Sequence, residues 1–196
     1  LMLQSLEYSD LEIISLEDEI GFLEDYLTIN AKLRFEDRLQ YEIKVCEEIE
    51  EDIMGVPTMI VQPYVENSIE HGLRTKKQGL VKVHFTLANE HTILCTVEDN
   101  GIGRRKTAQL QDKDPRYNNH RSKGTSITER RLEILHNLDK NNHLDVLSIN
   151  EDSPELLIEE KKKNTYVKII DLVDSENVPT GTRVEILIPI VEIQLK

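Results

Sequence analysis

The amino-acid sequence predicts an α+β fold in two layers, with helices on one face of a mixed, mostly antiparallel sheet and with an N-terminal helix before it. Three observations predict it. An apolar stripe at helical spacing runs from Leu16 to Leu27. Apolar and polar residues alternate over 81–87 and again over 93–97, as in a half-buried hairpin. Later in the chain, another helical pattern precedes further alternating runs.

The first helix is predicted to begin near Leu16. The preceding Ser15 and the later Asp18 form a capping box, in which the two side chains satisfy orphan amides at a helix start. The apolar stripe continues to about Leu33 or Phe35 and is broad enough to pack on a partner helix.

Two further helices are predicted. The second begins at Pro57 and ends at Gly72, because glycine is a favoured residue just past a helix end. Pro63 lies inside it, so we expect either a kink or a proline placed in the first turns. The third helix begins at a capping box, Ser126 to Glu129, and its apolar positions continue to Leu138.

The remaining periodic segments are predicted strands. Residues 41–45 alternate ahead of an acidic turn, and the hairpin turns at Asn89-Glu90. Later strands are predicted at 146–149, 156–158, 166–172 and 184–190, the last two joined by a loop that ends at 179–182.

Composition excludes several classes of function. The chain has 196 residues, a formal net charge of −13 and a pI near 4.9. Because an acidic surface repels phosphate backbones, no nucleic acid is expected as a partner. No apolar run reaches the ~18 residues that cross a bilayer, and no signal peptide is recognisable, so a soluble, cytoplasmic protein is expected. Cys46 and Cys95 lie in strand-like runs and are expected to be buried reduced thiols.

One segment interrupts the acidic pattern. Between Gly103 and Gly124, basic residues outnumber the acidic Asp112 and Asp114. The segment 104–123 has no periodicity and is too long for an ordinary connection, so we expect a functional lid or partial disorder. A basic loop on an acidic protein favours a small, highly charged anion as its ligand. Its basic residues are Arg104, Arg105, Lys106, Lys113, Arg116, Arg121 and Lys123.

Two motifs predict the walls of a nucleotide pocket. Residues 66–72 read ENSIEHG, and residues 97–103 read VEDNGIG at the end of an alternating run. A carboxylate at a strand end can accept a hydrogen bond from an exocyclic amine, and glycines after it let the backbone approach a flat ligand. The second motif alone is also a turn signal, so a hairpin corner stays open as the alternative.

The order of these motifs resembles the Bergerat-type (GHKL) ATPase domain, shared by sensor histidine kinases, gyrase-type topoisomerases, Hsp90 and MutL. That domain has a helix with Glu-Asn and His-Gly, a strand ending in Asp-x-Gly-x-Gly, a long loop, and a glycine at a helix start. QPYVENSIEHG at 62–72 and the segment 14–39 are most similar to the LytS-type sensor histidine kinases. The resemblance covers almost the whole chain from Ile14 and implies binding of ATP and Mg²⁺.

The resemblance implies a role for each matching residue. Asn67 matches the asparagine that coordinates Mg²⁺, and so a catalytic position. Asp99 matches the carboxylate that reads the adenine amino group, and Gly101 and Gly103 match glycines under the base. His71 matches a side chain beside the nucleoside, although a histidine facing the C-terminal helix dipole is an equal alternative.

On the phosphate side, Gly124 matches a family glycine, with Lys123 and Thr125 beside it and a helix N-terminus that would supply amide donors. The family usually has Gly-x-Gly-Leu, whereas here Ser122 stands in place of the first glycine and Lys123 offers a charge. Thr180-Gly181-Thr182 resembles the last glycine motif of the family, and a plain hairpin turn explains it equally well.

The residues before Asn67 favour phosphoryl transfer over hydrolysis. Hydrolysing relatives place a general-base glutamate four residues before the magnesium asparagine, where this chain has Pro63. Glu66 is a catalytic candidate for orienting Asn67 or a water, although consecutive helical residues face different ways. Transfer to a protein side chain needs mainly positioning and charge neutralisation.

The resemblance implies the ATP-binding catalytic domain of a two-component sensor histidine kinase. Residues 39–196 would be that domain, and 1–38 the end of the dimerisation and phosphoacceptor helices. None of the six histidines lies in the Pro-His-Phe context of an acceptor, so the acceptor is expected upstream. A response regulator would then receive the phosphoryl group.

The same resemblance implies partners, and two alternative functions stay open beside it. A homodimer is expected for the intact kinase, and a membrane link only through segments outside this chain. Two alternatives stay open: a Bergerat-fold ATPase whose hydrolysis drives a conformational clamp, and a non-catalytic, nucleotide-responsive interaction module. Pro63 argues against the first, and the altered glycine pair at 122–124 keeps the second open.

Overall fold

The computed structural model describes residues 12–73, 76–104, 107, 123–139 and 166–193. Two helices continue as five-residue π-helical turns, Asn30–Arg34 after the first and Ser68–Gly72 after the second. The predicted strands at 146–149 and 156–158 and most of the predicted lid, including Ser122, lie outside the described residues. The elements are β1 (Ile13–Ser15), α1 (Leu16–Ile29), β2 (Leu39–Val45), β3 (Met54–Pro57), α2 (Gln62–Asn67), β4 (Gly79–Asn89), β5 (Thr92–Asp99), α3 (Lys123–Asp139), β6 (Val167–Val173), β7 (Pro179–Pro189) and β8 (Val191–Glu192).

The main sheet has five strands in the order β2-β4-β5-β7-β6. β2 pairs with β4 in parallel, and the other neighbours pair antiparallel. β4 and β5 form the predicted hairpin, which closes with Asn89 opposite Thr92. A smaller antiparallel sheet joins β1, β3 and β8. The prediction of a mixed, mostly antiparallel sheet is confirmed.

The helices cover one face of the main sheet. They contribute Leu23, Leu27, Ile69 and Leu132 to the hydrophobic core. The opposite face is mixed: it includes the pair Leu94 and Leu187 as well as Arg183, whose guanidinium donates to Glu98 at 2.8 Å. Because the helices and the buried core lie on one face of the sheet, the predicted two-layer α+β sandwich is confirmed. The sheet residues of the core are Val81, Val83, Phe85, Ile93, Cys95, Val97, Val184, Ile186 and Ile188.

Helix α1 begins where the capping box predicts. The Ser15 hydroxyl accepts a hydrogen bond from the Asp18 amide at 3.1 Å, and the stripe from Leu16 to Leu27 is buried. The helix packs into the same hydrophobic core as the sheet, so packing marks no boundary after residue 38. The division into 1–38 and 39–196 stays a prediction.

The second helix starts later than the sequence pattern indicates. Met54–Pro57 form strand β3, which pairs with β1 and β8, so the prediction of a helix from Pro57 is wrong. Strand neighbours satisfy these backbone groups, and local periodicity carries no information about such distant partners. Helix α2 begins at Gln62, which places Pro63 in the first turn, where a missing amide is tolerated.

Two later boundaries were also predicted wrongly. Helix α3 includes Lys123, so Ser126 lies inside the helix rather than at its start. Residues 179–182 belong to β7, where Thr182 pairs with Asp99, so the hairpin-turn explanation of this segment is wrong. The turn between β6 and β7 lies earlier and is closed by the Asp174 amide donating to the Val178 carbonyl at 3.0 Å.

Two expectations from composition can be compared with the fold. Cys95 is buried and Cys46 is half-buried, and both are free thiols. Within the described ranges, no helix combines the length and the apolar character that a membrane span requires.

Candidate nucleotide-binding site

The candidate site is built around Asp99, the last residue of β5. Its side chain is 4% exposed and accepts a hydrogen bond from the Gly101 amide at 2.8 Å. The Ser68 side chain and the Thr182 amide donate to the same carboxylate. One side chain therefore joins the sheet, the loop after β5 and the π-helical turn after α2.

Burial dominates the electrostatics of this carboxylate. It raises the pKa of Asp99, because removal from water disfavours the ionised form. The three hydrogen bonds oppose the rise, and the neighbouring charge of Glu98 adds to it. The result is a desolvated acceptor held in one orientation, which is suited to an amine donor.

Two glycines make room for the carboxylate. A Cβ at Gly101 would lie 2.6 Å from both Asp99 Oδ1 and the Gly72 Cα, and a Cβ at Gly72 would lie 2.9 Å from Asp99 Oδ1. The Gly72 carbonyl also accepts from the Ile102 amide at 3.1 Å. A side chain at either position would collide, so both glycines are sterically required. Asp99, Gly72 and Gly101 are called the Asp99 end of the site below.

Gly103 has a conformational requirement of its own. Its φ is +77°, and a Cβ there would lie 2.8 Å from the Pro179 Cβ. Its carbonyl accepts from the Thr107 amide at 3.1 Å and from the Thr107 hydroxyl at 3.0 Å. The same hydroxyl lies 3.4 Å from the His71 carbonyl oxygen, so the loop after β5 is fastened to the turn after α2.

Helix α2 and its π-helical turn form one wall of the site. Asn67 is the last α-helical residue, is partly exposed, and precedes the Ser68 that contacts Asp99. The His71 Nδ1 atom is buried and has no hydrogen-bond partner among the residues that the structure describes. Buried polar atoms are normally paired, so this nitrogen is a candidate ligand contact. π-helical turns inside helices are frequent at functional sites.

The other end of α2 meets the start of α3. A Cβ at Gly124 would lie 3.4 Å from the Cβ of Pro63, in the first turn of α2. Asn67 follows Pro63 by about one helical turn. Along α2, the structure therefore brings together Gly124, Asn67 and Asp99 in that order. The three residues called the Gly124 end below are Lys123, Gly124 and Thr125.

Glu66 lies on a different side of α2. Its carboxylate accepts from the Gln62 side-chain amide at 2.9 Å, and Glu70, one turn further on, forms a two-bond ion pair with Arg34 after α1. Consecutive helical residues differ by about 100°, so Asn67 points elsewhere. The structure does not bring Glu66 to the Asp99 end, and its predicted catalytic role stays a prediction.

These residues fit a nucleotide and a magnesium ion. The glycine cradle at Asp99 and the orphaned His71 nitrogen suit a planar base and its sugar, and Asn67 offers one amide oxygen. No group of three or more His, Cys, Asp and Glu side chains in the described ranges is placed to hold a metal. The single amide oxygen of Asn67 can serve Mg²⁺, which keeps several waters and binds through substrate phosphates and one or two protein oxygens.

Comparison with known proteins finds similarity to a sensor protein kinase. Over 105 residues, the chain is 34% identical to the sensor protein kinase HptS of Staphylococcus aureus, with 51% of this chain and 19% of HptS matched. The chain is homologous to a sensor protein kinase. It spans about a fifth of the length of this curated relative, and no protein-family model matches it. The predicted relationship to sensor kinases is confirmed, whereas the LytS subtype stays a prediction.

Two solved structures are similar to the chain at low identity. The histidine kinase domain of the Erythrobacter litoralis EL346 blue-light activated kinase has a TM-score of 0.45 at 15% identity, covering 90% of this chain and 65% of that one. Histidine kinase ThkA in complex with response regulator protein TrrA has a TM-score of 0.45 at 16% identity, covering 97% and 46%. At these TM-scores the likeness adds nothing to the functional argument.

Sequence reasoning missed Ser68 and the ion-pair partner of Arg104 in this sensor-kinase homologue. Ser68 stands inside the ENSIEHG motif next to Asn67, which was an available signal. Arg104, at the start of the predicted lid, donates to both Asp171 oxygens of β6 at 2.8 and 2.9 Å. These two residues are 67 positions apart, and only the fold brings them together.

Proposed function

We propose that this chain is the ATP-binding catalytic part of a two-component sensor histidine kinase. In the intact kinase, the γ-phosphoryl group of ATP would pass to a histidine outside the candidate site and then to a response regulator. Histidine kinase catalytic domains use ATP, and the homology to HptS supports this class of enzyme.

The observation that carries the proposal is the order of groups along α2. The first turn of the helix touches Gly124, its last residue is Asn67, and the turn after it reaches Asp99 through Ser68. A base acceptor, a magnesium ligand and a helix N-terminus in this order match the base, the metal and the phosphates of Mg-ATP. A hairpin corner would not require these three elements to meet.

Each group has chemistry for one part of the ligand. Asp99 would accept a hydrogen bond from the adenine amino group, Gly101 and Gly103 would admit the flat base, and His71 would lie beside the nucleoside. Asn67 would hold Mg²⁺ through its amide oxygen, and the ion would neutralise phosphate charge. The amides at Lys123, Gly124 and Thr125 would contact the phosphates at the start of α3.

The partners belong to the same proposal. We propose a response regulator as the receiver, a homodimer for the intact kinase, and a cytoplasmic location with any membrane link outside this chain. The net charge of −13 supports the absence of a nucleic-acid partner. These assignments rest on the homology to HptS and on the family resemblance.

Titration calorimetry with a non-hydrolysable ATP analogue, with and without Mg²⁺, tests the proposal. We expect saturable binding that Asp99→Asn weakens roughly tenfold or more in both conditions, because a hydrogen bond from the base amine is lost. Asn67→Ala should weaken binding only when Mg²⁺ is present. Asp25→Asn makes the same chemical change on the exposed face of α1 and serves as the matched control.

Two results would reject the proposal. One is the absence of binding by the unaltered chain, which would favour the non-catalytic interaction module. The other is binding that Asp99→Asn leaves equal to the Asp25→Asn control, which would place the nucleotide elsewhere on the chain.

A further inference from the structure

A buried glutamate on α1 holds the start of α2. Glu19 is 1% exposed, and its carboxylate accepts from the Met59 amide at 2.7 Å and from the Val61 amide at 3.1 Å. The Ile60 amide donates to it as well. Val61 is the N-cap residue of α2, and its side chain makes no capping hydrogen bond. The carboxylate of Glu19, which belongs to α1, instead accepts from the amide at this helix start.

The turn that Glu19 holds is strained and is fixed from several sides. Met59 has a φ of +54°, an unusual value for a residue other than glycine. The Thr58 carbonyl accepts from the Arg131 guanidinium of α3 at 2.7 Å, and the Thr58 amide donates to the Glu12 carbonyl at 2.9 Å. Such a backbone persists only when its surroundings over-determine it. The acceptors of Glu19 are therefore part of what keeps this turn in place.

The far end of α2 is tied to the same helix. Glu70, in the π-helical turn after α2, pairs through two hydrogen bonds with Arg34, in the π-helical turn after α1. Both side chains of this pair are partly exposed to solvent, whereas the Glu19 carboxylate is buried. Solvent screens the exposed ion pair, whereas the Glu19 carboxylate is shielded from water.

We infer that Glu19 is a positioning residue for Asn67: it sets where α2 begins, and thereby where the asparagine at the end of this helix stands. This inference rests on the proposed function, because it concerns the same magnesium-nucleotide site. Asn67 is six residues after Val61, or about 9 Å along a helix. A tilt at the start of α2 therefore displaces the asparagine and, beside it, Ser68, one donor to Asp99. The Gly101 and Thr182 amides, which lie outside α2 and its turn, keep the Asp99 carboxylate in place. Through Glu19, the placement of α1 governs the metal side of the site.

The test compares Glu19→Gln with Glu24→Gln, the same change at an exposed position of the same helix. Glutamine keeps the size of the side chain but lacks the charge and the second acceptor. We expect the affinity for the Mg²⁺ complex of the ATP analogue to fall about tenfold, as for a lost hydrogen bond to a charged group. The affinity for metal-free ADP should stay within about twofold, since the Gly101 and Thr182 amides still hold Asp99.

A double-mutant cycle identifies the route of the effect. If Glu19 acts through Asn67, Glu19→Gln should cause no further loss of Mg²⁺-dependent affinity when Asn67→Ala is already present. A full additional loss in that background would overturn the inference. So would an equal weakening of metal-free ADP binding, which would indicate a general loss of structure.

Hydrogen exchange separates this inference from the proposed function. Without any nucleotide, the amides of residues 62–72 should exchange faster in Glu19→Gln than in Glu24→Gln. Equal exchange in the two variants would overturn the positioning role, whether or not the chain binds ATP. If exchange differs but the unaltered chain binds no nucleotide, the proposed function fails and Glu19 positions no metal ligand.

Discussion

The two ends of the candidate site are built in opposite ways. At the Asp99 end, the carboxylate is buried under three hydrogen-bond donors, and two glycines approach each other closely. At the Gly124 end, the glycine is exposed, and an added Cβ would meet Pro63 at 3.4 Å, an ordinary contact. The Asp99 end, proposed for the base, is thus buried, whereas the Gly124 end, proposed for the phosphates, is an exposed helix segment that packs against α2.

Glycine therefore has a different role at each end of the site. At the Asp99 end, glycine is needed for the chain to fold, so a change there should affect stability and ligand binding together. At the Gly124 end, the fold does not need glycine. Only a ligand that approaches the backbone closely would require a residue without a side chain there. Substitutions at the two ends should therefore separate folding from binding.

The largest expected effect comes from Gly101→Ala. Its Cβ would lie 2.6 Å from the Gly72 backbone and the Asp99 carboxylate, none of which can move freely. We expect a loss of about 1–3 kcal/mol or more in the free energy of unfolding, the usual range for overpacking. At roughly 2–4 °C per kcal/mol for a chain of this size, thermal unfolding monitored by circular dichroism should show it. Nucleotide binding should be lost with it.

Gly21→Ala is the matched control for this substitution. Nothing lies within 4 Å of a Cβ at Gly21, which is in α1, so alanine there should leave stability unchanged or raise it. Similar melting temperatures for Gly101→Ala and Gly21→Ala would mean that the π-helical turn after α2 and the loop after β5 do not approach as closely as described.

A smaller effect is expected in the pH dependence of Asp99→Asn. Burial raises the pKa of Asp99 above its ordinary value of 3.8, so the folded chain holds this proton more tightly than the unfolded chain. The stability that the carboxyl contributes is therefore greatest below its ordinary pKa and falls as the pH rises through the raised value. Each unit of pKa shift corresponds to about 1.4 kcal/mol.

Chemical denaturation from roughly pH 4 to 7 measures this contribution. Asparagine does not titrate, so the free energy of unfolding of Asp99→Asn should rise relative to that of the unaltered chain as the pH increases. A constant difference across this range would show that the hydrogen bonds cancel the effect of burial, so that the pKa of Asp99 is not raised. A difference that changes in the opposite direction would mean that its hydrogen bonds outweigh burial.

What the sequence alone could predict depends on whether a feature is set by neighbouring residues or by distant ones. The capping box at Ser15, the strand alternation of the hairpin, and the place of Asp99 at a strand end are local features, and each was predicted from neighbouring residues. The strand at Met54–Pro57 was not, because its pairing partners lie elsewhere in the chain. Glu19 looks like any glutamate of an acidic helix, and only the fold shows that its carboxylate caps α2.

The smallest expected effect on stability comes from Gly124→Ala. Because the position is helical and exposed, alanine should be neutral or should stabilise the chain by up to about 1 kcal/mol. Its melting temperature should therefore match that of Gly21→Ala. If phosphates approach the backbone at the start of α3, the new methyl group should nevertheless weaken binding of the ATP analogue while leaving adenosine binding unchanged. Unchanged affinity for both ligands would remove Gly124 from the site, and a drop in stability would show that the two ends are less different than their geometry indicates.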